Sequence, residues 1–268
     1  MEKTNIHHNR IWPILCVASV VAILTGYLFL VLSNAVYLGW SDSLYFLSHP
    51  KLWNRLALTI WTATSATGLS MAIGIPAGYA LSRFRFPYPR LMATIIDLPV
   101  LIPPCAVGAF LFGFTHTFPL RDILTFFGIE LGHATVGVVF AQFMVTAAFC
   151  ARLMKAAFDT INPRLEFVSR SLGASRIRTF FQVTLPLARR GIIASCIVVW
   201  ARAAAEWESL MIFVGGTDGR TDTLPFAVYL DWNGGMMGWV VSMSLLCILV
   251  AIAAMGAMRI IGRKSYVW

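Results

Sequence analysis

The chain has 268 residues, of which 58% are hydrophobic and 12% are charged. Because soluble domains are about a quarter charged, this composition excludes an ordinary soluble domain and indicates an integral membrane protein. The net charge of +9 does not require nucleic acid as a partner, since cytoplasmic loops of membrane proteins collect Lys and Arg. The five cysteines lie in apolar runs without metal-binding spacing, so we expect buried thiols and no disulfides.

Six apolar segments are long enough to cross a hydrocarbon core, which takes about 20 residues. The first is expected to be a retained helix, because no small-residue cleavage site follows it. The third is expected to bend at Pro99, Pro103 and Pro104. The pattern predicts an all-α polytopic membrane protein with one transmembrane domain over residues 1–268. The six spans are predicted at roughly 12–34, 55–81, 91–114, 131–154, 191–214 and 237–261.

The distribution of basic residues predicts the orientation of these spans. With the N-terminus inside, 16 of the 21 Lys and Arg residues fall on inner segments. Four residues, Lys51, Arg55, Arg121 and Arg220, fall outside, and Arg202 falls within a span. This bias predicts that both termini and the 155–190 stretch are cytoplasmic.

Catalytic motifs are missing from the sequence. It contains no GxxxxGK[ST] P-loop, no HExxH and no GxSxG, and its five histidines are scattered. The chain is therefore predicted not to be an enzyme. A membrane-embedded enzyme would need a polar cluster, and an ion-coupled secondary transporter would need an internal repeat. These two classes stay open as alternatives.

Four charged residues in or near the spans need partners or a water-filled cavity, namely Asp97, Arg202, Glu206 and Glu208. Arg202 and Glu206 are four residues apart, so they are expected to share a helix face and pair. That face is either a self-neutralised structural pair or the lining of a polar path. Asp97 either answers an arginine or caps the bend at Pro99.

The second predicted span is rich in hydroxyl groups, including those of Thr62 and Ser65, and Gly74 and Gly78 form a GxxxG motif. Both features favour close helix packing, although the hydroxyl groups equally suit a polar path. Three aspartates between the last two spans, Asp218, Asp222 and Asp231, are typical of turns.

The charged stretch at residues 163–186 is too polar to span a bilayer. Pro163 suits the first turn of a helix capped by Asn162, and Gly173 permits a left-handed turn at its end. A second short helix is expected from Ser175 to Val183, stopped by Leu185-Pro186. Two short helices joined by a glycine turn predict a projecting knob that docks a soluble partner.

This stretch resembles the EAA loop of ABC importer permeases, which reads roughly E-x-A-A, a glycine and then L-P. Val168 and Ser169 stand where alanines are usual. In that family the loop forms a coupling helix that enters a groove on the ATPase subunit. The resemblance implies ATPase-coupling roles for Glu166, Val168, Ser169, Leu172, Gly173, Ala174, Ser175, Leu185 and Pro186.

Three further stretches resemble the molybdate, tungstate and sulfate permeases. DLPVLIPP at 97–104 is similar to their DLP-x-x-x-PP segment, and WARAAAE at 200–206 to their ARALGE segment. GRTDTLPFAVY at 219–229 is similar to an outer loop that reads like GRTQTLPLAIY. Ala205 and Glu208 replace glycines that are usual beside the glutamate.

The resemblance implies a type I ABC importer permease of six transmembrane helices with a cytoplasmic coupling helix, in a bacterial or archaeal inner membrane. The implied partners are an ATPase dimer that binds ATP and Mg, an external binding protein, a second permease copy as a homodimer, and membrane lipid. Molybdate or tungstate is the expected substrate, with sulfate, phosphate or thiamine as alternatives. The candidate translocation path comprises Thr62, Ser65, Asp97, Pro99, Pro103, Pro104, Arg202 and Glu206.

Overall fold

A computed structural model describes residues 8–38, 45–46, 48–117, 119–128, 131–217 and 219–263 of the chain. Helices account for most of these residues, and the described part contains no strand. The helices are α1 His8–Leu38, α2 Pro50–Arg83, α3 Pro89–Leu101, α4 Pro104–His116, α5 Leu120–Phe126, α6 Thr135–Asp159, α7 Pro163–Ser171, α8 Arg176–Ala204, α9 Glu208–Phe213, α10 Leu224–Asn233 and α11 Met237–Arg263.

Five helices are long and apolar enough to cross a membrane, namely α1, α2, α6, α8 and α11. The predicted third span is a broken pair, because α3 and α4 meet at an angle of 104°. Ile102 is extended there, as expected for a residue before proline, and Pro103 and Pro104 lack the N–H groups that would continue the helix. The predicted bend is confirmed at these two prolines, whereas Pro99 lies inside α3.

The predicted fifth span, 191–214, is wrong at both ends. Helix α8 already begins at Arg176 and ends at Ala204, and a break at 205–207 separates it from α9. Leu185-Pro186 does not stop the helix, because residues Phe180–Thr184 form a π-helical turn just before it. The Leu185 N–H donates to the carbonyl of Phe180, five residues back. This wider turn accommodates a proline ring that would clash in a regular α-helix.

Helices α2, α6 and α8 form the centre of the bundle. Gly74 and Gly78 let α2 approach α6 closely, as their spacing predicted. A Cβ atom at Gly78 would lie 2.7 Å from the backbone nitrogen of Lys155. Cys150 and Met154 of α6 pack into a buried cluster there. Helix α1 lies at the edge of the bundle, where it contacts α11. None of its membrane-spanning stretch is buried.

The structure tests the prediction about the cysteines, whereas three charged residues lie outside the part of the chain that it describes. The cysteines are free, but the expectation of buried thiols is confirmed for Cys150 alone, because Cys105, Cys196 and Cys247 are half-buried and Cys16 is exposed on α1. Lys3, Lys264 and Asp218 lie outside the described residues.

Candidate functional site

The knob predicted between the fourth and fifth spans consists of α7, a glycine turn and the start of α8. The Asn162 side chain caps α7 by accepting from the backbone N–H of Arg164 at 3.0 Å. At the other end Gly173 has a φ of +90° and donates its N–H to the carbonyl of Arg170. The Ala174 N–H donates to the carbonyl of Ser169, which completes a Schellman motif. The glycine turn is thus confirmed.

Glu166 attaches this knob to the rest of the bundle. Its carboxylate accepts from Arg83 Nε at 2.7 Å and from the Tyr79 hydroxyl at 3.0 Å, both on α2. Arg83 also donates to the carbonyls of Phe158 and Ile161, just where α6 ends. One largely buried arginine therefore connects α2, α6 and α7. The carboxylate of Glu166 has its partners within the chain and holds α7 in place, and its coupling role stays a prediction.

A second set of contacts fixes the start of α8 to the same place. The hydroxyl groups of Ser169 and Thr179 lie 3.2 Å apart across the glycine turn. The Phe180 ring packs edge-on against Tyr79, with centroids 4.8 Å apart, and lies 6.1 Å from the ring of Phe158. Both arms of the knob are consequently held by the C-terminal end of α2.

The opposite face of the knob is apolar and uncovered. We call this face the knob surface. It is exposed at Leu165, Phe167, Val168, Leu172, Ile177 and Phe181, with Leu172 the most exposed at 84%. Ala174 is half-buried, and Ser175 caps α8 by accepting from the Arg178 N–H. Exposed arginines, Arg164, Arg170, Arg176 and Arg178, alternate with these apolar side chains. A cluster of exposed apolar side chains rimmed by polar ones is typical of an interaction surface.

Arg202 and Glu206 form the predicted ion pair, with Nη1 and Oε2 2.6 Å apart. The reason differs from the prediction, because α8 ends at Ala204 and the two residues do not share one continuous helix. Glu206 lies in the break, 1% exposed, and its other oxygen accepts from the N–H and hydroxyl of Ser209. The carboxylate thus joins the end of α8 to the start of α9.

The two helix breaks of the bundle are packed together. Helix α9 lies against α4, and a Cβ atom at Gly108 would lie 2.5 Å from the carbonyl oxygen of Ser209. Gln142 of α6 donates from Nε2 to the carbonyl of Ala203 at 3.1 Å, while its buried Oε1 has no protein partner among the described residues. At the break itself Ala205 is exposed. Glu208 opens α9, where the helix dipole favours an acid.

The remaining path candidates lie in two separate places. Thr62 is completely buried beside the alanines that join α2 to the end of α8, and half-buried Ser65 donates to the carbonyl of Trp61. Asp97 forms an ion pair with Arg152, with Oδ1 3.2 Å from Nη1, and both side chains are exposed. The structure therefore brings Thr62 to the same region as the Arg202 helix end, but places Asp97 with another helix.

The prolines follow the same division. Pro99 lies in α3 two residues beyond Asp97, whereas Pro103 and Pro104 lie at the break before α4. The assignment of these residues to a translocation path stays a prediction.

One buried cluster was missed by the sequence analysis, which assigned Arg55 to an outer segment and Asp222 and Asp231 to turns. Arg55 is 4% exposed. Its Nε lies 2.7 Å from Asp222 and its Nη1 2.7 Å from Asp231. The residues join α2, α10 and the loop before α10. The sequence did contain a sign of this cluster, because Arg55 lies five residues after the start of an apolar helix and a charge in such a helix requires partners.

Comparison with known proteins agrees with this architecture. A family model described as "Binding-protein-dependent transport system inner membrane component" matches residues 70–265. The molybdenum transport system permease protein ModB of Escherichia coli (strain K12) is 30% identical over 211 residues, covering 76% of this chain and 89% of the relative. The molybdate/tungstate transport system permease protein WtpB of Methanocaldococcus jannaschii is 28% identical over 229 residues, covering 82% and 89%.

Solved structures show the same fold at low sequence identity. A chain of a bacterial alginate ABC transporter, in complex with its alginate-bound periplasmic protein, superposes with a TM-score of 0.75 at 15% identity and covers 98% of this chain and 96% of that chain. A chain of the inward-facing MetNI methionine ABC transporter gives a TM-score of 0.57 at 20% identity, covering 78% and 94%. At these identities the likeness supports the fold alone.

Proposed function

The chain belongs to the family of binding-protein-dependent transport system inner membrane components, and on this premise we propose that it moves an oxyanion such as molybdate or tungstate. It is the multi-pass permease subunit of an ABC importer. The substrate class rests on what the relatives from Escherichia coli and Methanocaldococcus jannaschii are named for transporting. Family membership favours this class over an ion-coupled secondary transporter.

The observation that carries the proposal is the knob surface. It presents exposed apolar side chains and projects from the membrane-spanning helices. The ion pair of Arg83 and Glu166 attaches its other face to α2. A rigid apolar projection of this kind suits insertion into a groove of a soluble partner. We assign that partner as an ATPase subunit, which binds the ATP and Mg that this chain has no P-loop to hold.

The orientation follows from the same assignment. The knob is cytoplasmic, so both termini are cytoplasmic, and the loops at the other end of the bundle face an external binding protein. Each chain offers one knob, so a dimer of ATPase subunits pairs with two permease copies, which we propose to be a homodimer. ATP-driven closure of the ATPase dimer would push the knobs together and rock the helix bundles about the path.

The knob assignment is tested by placing a charge on the knob surface. Leu172→Glu introduces a carboxylate at the most exposed apolar position without changing the glycine turn. We expect loss of ATPase co-purification and of transport, while membrane insertion and the thermal unfolding midpoint stay near those of the unmodified chain. Leu172→Met keeps the surface apolar and serves as the matched control. Normal transport by Leu172→Glu would refute the docking role.

The substrate is tested separately. Calorimetry of the cognate binding protein with molybdate, tungstate, sulfate, phosphate and thiamine identifies the ligand that it delivers. We expect molybdate or tungstate to bind with the lowest dissociation constant. Binding of thiamine alone would overturn the oxyanion assignment but would leave the permease assignment intact.

A further inference from the structure

A cavity of about 550 Å³ opens at the end of the bundle that carries the knob. It lies between the end of α2, the turn that follows, the first half of α3 and the last part of α6. Lys155, one of its lining residues, is four residues from the end of α6, which is about one helical turn. On the orientation proposed above, the cavity is therefore at the depth of the cytoplasmic lipid headgroups.

The wall of the cavity is largely apolar. Phe84, Phe86 and Ile96 line it together with two further apolar side chains. Phe84 is 50% exposed, and Tyr88 in the same turn is 77% exposed. Tyr is enriched where protein meets lipid headgroups, and the phenylalanines are apolar enough to contact acyl chains. The wall thus offers a surface for hydrocarbon that continues into the membrane.

The rim of the cavity is basic. Arg85, Arg152 and Lys155 line it with a single acid, Asp97, so the lining carries an excess of two positive charges. Asp97 is bound by Arg152 at 3.2 Å, and Lys155 is bound by Asp159 at 2.6 Å. Arg85 makes no ion pair within the part of the chain that the structure describes. One cation is consequently free for an anion, beside a second that is half-exposed.

We propose that this cavity binds an anionic phospholipid. The phosphate lies against Arg85 and Arg152, and an acyl chain runs along Phe84, Phe86 and Ile96. A basic pocket between membrane-spanning helices on the cytoplasmic side suits an acidic headgroup. A small hydrated oxyanion in transit would gain nothing from the apolar wall, which is why the lipid is the occupant that fits both halves of the cavity.

The test uses the purified full-length chain in detergent. Native mass spectrometry with phosphatidylglycerol or phosphatidylcholine of identical acyl chains measures how much of each lipid the protein retains. We expect preferential retention of phosphatidylglycerol, weakened about tenfold by the double variant Arg85→Gln/Arg152→Gln. Arg189→Gln/Arg190→Gln removes two exposed basic residues of α8 that do not line the cavity. Equal weakening in both double variants would overturn the site, since it would reflect surface charge alone.

A second variant tests the contribution of the cavity's space separately from that of its basic residues. Ile96→Trp fills the cavity while every basic residue remains, so we expect retention of phosphatidylglycerol to fall as it does in the arginine variant. Undiminished retention would place the lipid elsewhere. Displacement of bound phosphatidylglycerol by millimolar molybdate would make this an oxyanion site and overturn the proposal. Retention by monomers but not by dimers would show that a second copy covers the cavity, with the same consequence.

Discussion

Helix α2 carries an arginine in ion pairs near each end, buried at Arg55 and largely buried at Arg83, and the two arginines are bound in different ways. Near the N-terminal end, which is the outer end in the proposed orientation, Arg55 lies between two aspartates that are both almost fully buried. At the C-terminal, or inner, end, Arg83 binds one carboxylate, that of Glu166, and otherwise donates to backbone carbonyls and to Ser82. The outer cluster joins parts of the bundle itself, whereas the inner one attaches a projecting knob.

This difference implies a division of labour along one helix. The outer arginine lies between two buried negative charges, so its removal takes the Arg55 cation from both. The inner arginine keeps its carbonyl partners when Glu166 is changed, so the carbonyl groups at the end of α6 keep their hydrogen bonds. We therefore expect the outer cluster to control the stability of the whole bundle and the inner one to control the position of the knob.

The largest effect is expected for Arg55→Leu. It leaves Asp222 and Asp231 buried and adjacent without their cation, which should cost about 3–5 kcal/mol of unfolding free energy. The shift is measured by thermal unfolding in detergent. Arg220→Leu, at an exposed arginine of the same outer region, is the control and should change little.

The triple variant Arg55→Leu/Asp222→Asn/Asp231→Asn sharpens this result. It removes all three charges, so it should recover part of the stability lost in the single variant. If Arg55→Leu were no less stable than Arg220→Leu, the outer cluster would not hold the bundle together.

Glu166→Gln should act locally and more weakly. The carboxylate becomes a neutral amide, so the ion pair with Arg83 is lost and the bond from the Tyr79 hydroxyl becomes neutral, at a cost of about 1.5–3 kcal/mol confined to the attachment of α7. Hydrogen exchange should speed up in residues 163–172 but not in α6, and ATPase-coupled transport should fall. Arg164→Gln changes an exposed residue of the same helix and is the control. Uniformly faster exchange would contradict the local role.

Gly173→Ala tests the turn that shapes the knob surface. Nothing lies within 4 Å of the added Cβ, so the cost comes from the φ of +90° alone and should be about 1–2 kcal/mol. Gly68→Ala is the matched control, because Gly68 is exposed within α2 with equally open space and should gain about 0.5–1 kcal/mol. Thermal unfolding of both variants should therefore shift in opposite directions.

The sequence predicted those features whose signals are local. Apolar runs located the spans, two adjacent prolines located the break between α3 and α4, and Gly173 located the turn of the knob. Arg202 and Glu206 were paired because they are close along the chain. Their actual setting, a helix break capped through Ser209, was missed because alanines around the break favour a continuous helix.

The features that the sequence did not reveal depend on distant partners. Arg55 is 167 residues from Asp222 and 176 from Asp231, and no local pattern links residues so far apart. Glu166 is 83 residues from Arg83, so its buried attachment was equally hidden. The continuation of α8 through Pro186 depends on a π-helical turn, for which proline patterns predict only a stop.

The smallest effect is expected for Asp97→Asn. This variant tests whether burial is what makes the ion pairs at the two ends of α2 matter. Asp97 and Arg152 also form an ion pair of Asp and Arg, but the side chains are 39% and 55% exposed. At the headgroup depth proposed for the cavity, water and salt reach such a pair, so its loss should cost less than about 1 kcal/mol. The unfolding midpoint of Asp97→Asn should match that of the unmodified chain at 1 M salt. A loss as large as that of Arg55→Leu would mean that burial does not explain why the outer cluster matters.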